Sequence, residues 1–272
     1  MSPAFLPALN FSIVQLSDIM NACFQQYVIP LSVTPDYFAR RFGSEGLNFH
    51  QSGVWMQGDQ AVAIALVTTR SRGARIAAFA ITPDFRGQGL AKPMMAGLLS
   101  RLAAENVGQI SLEAIADNTA AVALYQAQGF QIKQTLLGFT GPALSAGSAA
   151  GLAVTSTDAL LRVIYRAPQE EIPWLLDPIS FPALPCEVVS GGEHAWAVID
   201  RLAGTPQLRY LFVDPAFRRQ GRASALLGRI NAQYPGIRTP VAVPEKFAAL
   251  FRRAGYAQLA LKQYEMFLSQ DR

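Results

Sequence analysis

The chain has 272 residues, 51% of them hydrophobic and 15% charged, and a formal net charge of +4. That length accommodates one large domain or two small ones, and the apolar fraction excludes a disordered chain. Basic and acidic groups number 9 and 8 in residues 1–140 and 14 and 11 in residues 141–272, with no basic run in either half, so nucleic acid is not an expected partner.

Cys23 and Cys186 are the only cysteines and His50 and His194 the only histidines, all far apart, so no zinc-ligand spacing exists and no metal is expected. Two scattered cysteines suit a reducing compartment. Residues 1–10 lack a basic segment and carry two prolines, unlike a secretory leader. No apolar run is long enough to span a bilayer. The expectation is a cytoplasmic protein without a membrane partner.

In chain order, residues 16–28 read as a helix with Ser17 and Asp18 as candidate caps, and residues 34–42 as a second helix with Thr34 as N-cap and Pro35 at its first position. Residues 51–56, 61–70 and 74–82 read as a three-stranded meander, with turns at 57–60 and 71–73. A glycine-containing loop follows, then a helix over 92–105, a buried strand over 109–116, and a helix over 118–128 stopped by Gly129. Residues 130–139 return as one or two strands. The small-residue stretch 141–151 reads as a linker or long loop. Beyond it, 158–165 and 170–176 are helical candidates, 186–190, 194–201 and 208–213 strand candidates, and 224–231 a helix.

The second half repeats the first. The loop I81-T-P-D-F-R-G-Q-G-L-A91 recurs 132 residues later as V213-D-P-A-F-R-R-Q-G-R-A223, with six identical positions. V122-A-L-Y-Q-A-Q-G-F130 aligns with A248-A-L-F-R-R-A-G-Y256, in the same order. Two matched blocks in one order argue for a duplicated domain.

A loop with small residues between a strand and a helix leaves backbone N–H groups uncovered at the positive end of the helix dipole, which suits a pyrophosphate without a metal. Gly89 permits close approach, Arg86 adds charge, and Pro93 fits early in the helix. A Walker loop is excluded because Gly-Lys-Ser/Thr is absent, and a dinucleotide fingerprint because Lys92 stands where its third Gly belongs.

The helix–helix–meander–loop–helix–strand–helix order, the loop residues Arg86, Gly87, Gln88, Gly89, Leu90 and Ala91, and the Asn, Leu-Tyr and Gly-Phe of residues 118–130 together resemble the GNAT family of acyl-CoA N-acyltransferases. The resemblance covers residues 1–140. In residues 141–272 the loop matches well and the second block partly. It implies an α/β fold of two tandem GNAT-type domains, each a mixed, mostly antiparallel central sheet with flanking helices. The first domain is expected at 1–140, a linker at 141–155 and a degenerate second domain at 156–272.

It further implies acetyl-CoA as acyl donor, with the pantetheine arm on the backbone of Phe79, Ala80 and Ile81 and in contact with Asn118, and the pyrophosphate on the N–H groups of Gly87 through Lys92. Backbone N–H groups near Ile81 are the candidates to hold the oxyanion. Tyr125 takes the place of the family's thiolate-protonating tyrosine. Glu113, twelve residues earlier, is a candidate base by analogy with members that acetylate protein N-termini, with a water chain as the other route. Phe24, Tyr27 and Tyr37 either line the acceptor site or belong to the core.

In the second copy Phe251 replaces the tyrosine and Pro244 the asparagine, so that half is read as catalytically dead. Arg218, Arg219, Gln220, Gly221, Arg222 and Ala223 form its candidate cofactor loop. The expected acceptor is a small-molecule amine, with protein N-termini and a non-catalytic acyl-CoA-binding role as alternatives. The expected assembly is a monomer or homodimer.

Overall fold

The computed structural model describes residues 3–29, 31–71, 73–143, 151–168 and 170–269. The meander forms as expected: β2 (Gly53–Gln57), β3 (Gln60–Arg70) and β4 (Gly73–Ile81) pair antiparallel in sequence order. β3 is buried on both faces, which is why its sequence is almost continuously apolar. Ile64 and Leu66 point to one side, where Leu16, Met20 and Cys23 of α1 (Ile13–Cys23) and Phe38 and Phe42 of α2 (Pro35–Glu45) cover them. Ala63, Ala65 and Val67 point to the other side, under Met95, Leu98 and Leu102 of α3 (Ala91–Ala104) and Tyr125 of α4 (Thr119–Ala127). β5 (Gln109–Ile115) adds to β4 in parallel, and β1 (Ala4–Pro7), which the sequence analysis does not anticipate, adds to β2.

Local signals set most helix ends. Thr34 caps α2 by accepting from the Tyr37 N–H, and Pro35 is its first residue, as expected. α1 starts earlier than expected. Its cap is Ser12, in a reciprocal box with Gln15, whereas Ser17 is buried within the helix and donates to the Val14 carbonyl. Residues 170–176 form only a short 3-10 turn at Trp174–Leu176, because Pro173 cannot continue a helix.

Contacts divide the chain into two compact units. One holds the residues through Lys133 together with those from Tyr264 onward, and the other holds Gln134–Gln263. β6 (Gln131–Thr140) and β12 (Ala257–Ser269) each run from one unit into the other. β12 is the neighbour of β5 in the first unit's sheet, where Met266 is fully buried among α3 and α4 side chains. β6 pairs with β11 (Val243–Pro244) in the second unit, Leu137 opposite Val243. Each unit is completed by the last strand of the other half of the sequence. The boundaries expected at 140 and 156 do not follow this exchange, because the hydrophobic pattern of a strand does not say which sheet receives it.

The second unit repeats the layering. β7 (Ala153–Thr155), β8 (Cys186–Ser190), β9 (Ala195–Asp200) and β10 (Gln207–Val213) form an antiparallel sheet. α5 (Thr157–Arg166) packs on one face through Leu160 and Ile164. α6 (Arg222–Gln233) and α7 (Ala248–Arg253) pack on the other through Leu226, Leu227, Ile230 and Phe251. Residues 141–155, expected as a linker, lie partly outside the described residues, and β7 occupies their end.

Met266→Ala is expected to lower stability by about 2–4 kcal/mol in chemical denaturation, the usual cost of emptying a fully buried methionine site. An unchanged midpoint would show that the C-terminal strand does not complete the first core.

Candidate active site

The site is built at the end of β4. Its parallel pairing with β5 runs from Gly73–Gln109 to Ile76–Leu112 and then stops. At that point the β3–β4 register skips Ala77, a bulge that bends the strand and increases its local twist. Phe79, Ala80 and Ile81 keep their β3 partners Ala65, Ile64 and Ala63 but have none on β5. On that side these residues have no strand partner, although the Ile81 carbonyl is taken by Arg86, and an extended ligand can add there as a strand does.

The loop beyond Ile81 is shaped by two left-handed residues, Gly87 and Gly89, both at φ 74°. A Cβ at either would meet no atom within 4 Å, so their faces look into open space. The first hydrogen bond of α3 runs from the Met94 N–H to the Leu90 carbonyl, which leaves the N–H groups of Ala91 and Lys92 ahead of the helical ladder. With Ile81, Phe85, Arg86 and Leu124 these residues border a cavity of about 390 Å³. Uncovered N–H groups, a helix N-terminus and the exposed Lys92 fit a pyrophosphate.

Arg86 has a different role from the expected one. Its Nε donates to the Ile81 carbonyl (2.9 Å) and its Nη2 to the carbonyls of Cys23 (2.9 Å) and Gln25 (2.7 Å). The guanidinium ties the end of α1 to the end of β4 and shapes the loop from beneath. Gln88 likewise turns back, its Nε2 donating to the Asp84 carbonyl (2.9 Å).

Asn118, Tyr27 and Tyr125 come together beside this edge. Asn118 Oδ1 caps α4 by accepting from the Ala121 N–H (3.2 Å), and its Nδ2 donates to the Tyr27 hydroxyl (3.3 Å). Tyr125 is buried, and burial, then the neighbouring Tyr27, pushes its hydroxyl pKa well above the ordinary tyrosine value. It therefore stays protonated, the state a proton donor needs. Phe24 packs edge-on to Tyr27, at 5.0 Å between ring centres. Tyr37 packs against the α1–α2 core.

Glu113 is not a free carboxylate. Arg75 Nε donates to its Oε1 (3.0 Å) and Oε2 (2.7 Å), Arg75 Nη1 donates to Glu45 Oε2 (2.7 Å), and Arg41 Nε donates to Glu45 Oε1 (3.2 Å). Burial acts against the Arg75 charge, but Glu113 and Glu45 outweigh it and hold the guanidinium more firmly protonated than usual. Both oxygens of Glu113, expected as a candidate base, are engaged by Arg75, which makes the residue part of a buried ion network. Arg75 and Glu45 escape sequence reasoning. The one available signal is an arginine inside the apolar stretch 74–81, which implies a buried partner.

The thiols take no part. Burial pushes Cys23 up to about 12, against weaker opposing effects of the Ile64 backbone and Arg86, and burial pushes Cys186 up to about 11. Among the described residues there is no group of three or more side chains able to hold a metal, and no helix is long and apolar enough to cross a membrane.

Residues 13–130 match the family described as Acetyltransferase (GNAT). The match spans 118 of the 272 residues (130 − 13 + 1). The [ribosomal protein bS18]-alanine N-acetyltransferase of Escherichia coli K12 is 32% identical over 93 residues, which are 34% of this chain and 60% of that protein. The chain thus spans three-fifths of that relative's length. Among solved structures, a tandem GNAT protein from the clavulanic acid biosynthesis pathway matches with a TM-score of 0.68 at 11% identity, over 98% of both chains. A GCN5-related N-acetyltransferase from Sphaerobacter thermophilus matches with a TM-score of 0.68 at 16% identity, over 98% of this chain and 95% of its own. Both likenesses show a shared fold over 98% of this chain.

Several features of the second unit match the first. Arg218 Nε donates to the Val213 carbonyl (3.1 Å) as Arg86 does to that of Ile81. Arg219 and Gly221 are left-handed, at φ 62° and 75°, like Gly87 and Gly89. Phe251 meets Tyr256 edge-on as Tyr125 meets Phe130, and in both pairs the later residue's N–H donates to the earlier carbonyl at 3.0 Å. Phe251 also stacks on Phe139 (4.8 Å). It fills a tyrosine's space without a hydroxyl.

Two outcomes are expected here. Glu113→Gln should cost about 3 kcal/mol of stability by unbalancing buried Arg75, with turnover of the folded protein changed less than tenfold. A loss of a hundredfold or more at unchanged stability would restore Glu113 as base. Iodoacetamide at pH 8 should leave Cys23 unmodified in the native protein, since almost none of a thiol at about 12 is ionised there. Rapid alkylation of Cys23, read by mass spectrometry, would contradict its burial.

Proposed function

We propose that residues 1–133, completed by the C-terminal strand, transfer an acetyl group from acetyl-CoA to a primary amine. The observation that carries this reading is the free edge at Phe79–Ile81, lying between a glycine-shaped anion cradle and a buried, protonated tyrosine. The chain's residues fit the donor. The backbone of Phe79–Ile81 binds the pantetheine arm, the N–H groups of Gly87–Lys92 hold the pyrophosphate, and Arg86 keeps both in register from below. When bound, acetyl-CoA supplies an activated thioester.

The backbone N–H groups near Ile81 orient the thioester oxygen and stabilise charge as it grows there. Tyr125 delivers a proton to the departing sulfur, and its burial keeps the proton in place until then. Asn118 holds the start of α4, and with it Tyr125, while its Nδ2 fixes Tyr27 at the acceptor side. The acceptor's proton passes to water, because Glu113 is occupied by Arg75.

The acceptor class rests on two different supports. A small amine is the sequence-based expectation. The Escherichia coli relative's name specifies an alanine of ribosomal protein bS18, which favours a peptide amine as the second reading. An assay of CoA thiol release with pooled small amines and, separately, with alanine-initiated peptides tests both. Release with neither acceptor would remove the transferase reading.

Tyr125→Phe is expected to lower the acetyl-transfer rate by roughly 10- to 1000-fold with acetyl-CoA binding nearly unchanged. Unchanged turnover would take Tyr125 out of the mechanism. Gly89→Val is expected to abolish acetyl-CoA binding in calorimetry, because a branched side chain at positive φ distorts the loop and fills the phosphate's space. Normal affinity would refute the cradle.

A further inference from the structure

Arg86 reaches 63 residues back along the chain, to the end of α1. The carbonyls of a helix's last turn have no partners within the helix, and this end of the helix dipole is negative. Cys23, the last residue of α1, and Gln25, two residues on, each turn a carbonyl to Arg86 Nη2, at 2.9 and 2.7 Å. Arg86 Nε donates to the Ile81 carbonyl at 2.9 Å. One guanidinium therefore closes α1 and joins its exit to the end of β4. That exit is bent. The Gln25 N–H donates to the Ala22 carbonyl (3.3 Å) and the Tyr27 N–H to that of Phe24 (3.2 Å). Gln26, between the second bonded carbonyl and Tyr27, is left-handed at φ 56°. A non-glycine residue adopts that conformation at a cost, so its surroundings have to hold it.

Tyr27 is the side chain this turn presents. Its ring packs edge-on to Phe24, and its hydroxyl accepts from Asn118 Nδ2 (3.3 Å), the hydroxyl's only hydrogen bond among the described residues. A phenol oxygen has two lone pairs and a proton, so one lone pair and the proton are left for a ligand. Tyr27 follows α1 on one side of the sheet, and Tyr125 belongs to α4 on the other. The two are nonetheless close enough for Tyr27 to act electrostatically on the Tyr125 hydroxyl. The Tyr27 hydroxyl thus lies beside the group read as the proton donor. The second unit supplies a contrast. Arg218 keeps the Nε bond, to the Val213 carbonyl, but its Nη1 meets the Glu170 carboxylate and not helix-end carbonyls. Among the described residues, the Nε bond is common to both units, and the tie to a tyrosine-bearing turn goes with Tyr125.

We propose that Tyr27 orients the acceptor, its hydroxyl oxygen accepting an N–H of the attacking amine, and that Arg86 positions Tyr27 through the carbonyls of Cys23 and Gln25. This rests on reading the first unit as an acetyltransferase. A neutral amine attacks through its lone pair, so its N–H bonds have to be held pointing away from the thioester carbon. Asn118 takes one lone pair of the Tyr27 oxygen and leaves the other for that N–H. The motif arginine then serves the acceptor side of the reaction and not the donor's phosphates, which the same reading assigns to backbone N–H groups. One side chain fixes both the strand end that receives the donor and the turn that receives the amine.

The test compares Arg86→Ala, Tyr27→Phe and the double variant, each checked for folding by circular dichroism. Acetyl-CoA binding is read by calorimetry, and thiol-release kinetics are read with an alanine-initiated peptide and with small amines. Tyr27→Phe removes one oxygen and keeps the ring against Phe24. Each single variant is expected to lower kcat/KM for the acceptor by about tenfold or more, with the acetyl-CoA Kd changed less than about threefold. The double variant is expected to match the worse single one within about threefold, because both changes remove the same contact. Hydrogen exchange is expected to speed up over residues 23–28 in Arg86→Ala and to stay unchanged there in Tyr27→Phe. If Arg86→Ala does not fold, Arg86→Lys, whose single ammonium cannot serve three carbonyls, takes its place. Four results overturn the proposal: wild-type acceptor kinetics in Tyr27→Phe, losses that multiply in the double variant, unchanged exchange in the Arg86 variant, or an acetyl-CoA Kd that rises there as much as the acceptor's kcat/KM falls. Failure of the transferase reading shows separately, as no thiol release by the wild-type protein with either acceptor, a result that also ends this proposal.

Discussion

At Ile76 and Leu112 the hydrogen bonding between two parallel strands stops, and the first site depends on that interruption. A sheet interior normally satisfies every backbone N–H and C=O within itself. Here the bulge at Ala77 turns β4 away from β5 and leaves three residues with one free side. An edge of this kind is where an extended amide-bearing ligand can pair. The same bulge delivers the strand's end to the glycine loop, so a binding edge and an anion cradle become neighbours through one extra residue.

The charged side chains around this edge work mainly as fasteners. Arg86 belongs to the sequence motif, yet its donors go to three protein carbonyls on α1, its following turn and β4. Arg218 makes the equivalent bond in the second unit, so this use of the motif arginine survives where the tyrosine does not. Arg75 binds Glu113 and Glu45 inside the first unit, where a charge persists only if paired. The anion cradle is consequently made mostly of backbone. That suits its function, because N–H groups held by a fixed loop need no reordering when a phosphate arrives.

Duplication has left two units with the same layering and different content. The first keeps Tyr125. The second keeps the loop and replaces the hydroxyl by a ring stacked on Phe139. The exchange of β6 and β12 also binds the two sequence halves into one folding problem. β12 reaches β5 from more than 140 residues away (257 − 115 = 142), a contact of high sequence separation of the kind that slows folding. Neither half of the sequence contains all the strands of its own sheet.

Much of this was legible in the residues alone. Apolar runs broken by turn residues gave the meander, Thr34 and Pro35 marked α2, and Gly129 ended α4, because each of these is a local effect of dihedral preference or burial. The repeated loop and its partner block identified the duplication, and with it Tyr125 against Phe251. Tertiary structure alone decided the rest. The partner of Glu113 is 38 residues away and that of β5 is the C-terminal strand, and no local pattern encodes a partner's identity. The motif residue Arg86 became a fastener for the same reason: its function is set by the carbonyls at Cys23 and Gln25 that folding brings within reach. Sequence by itself determined which elements form and which chemistry each half retains. Only the assembled sheet decided where pairing stops, which charges are spent, and how much space is left for a ligand, since these depend on contacts between segments distant in the chain.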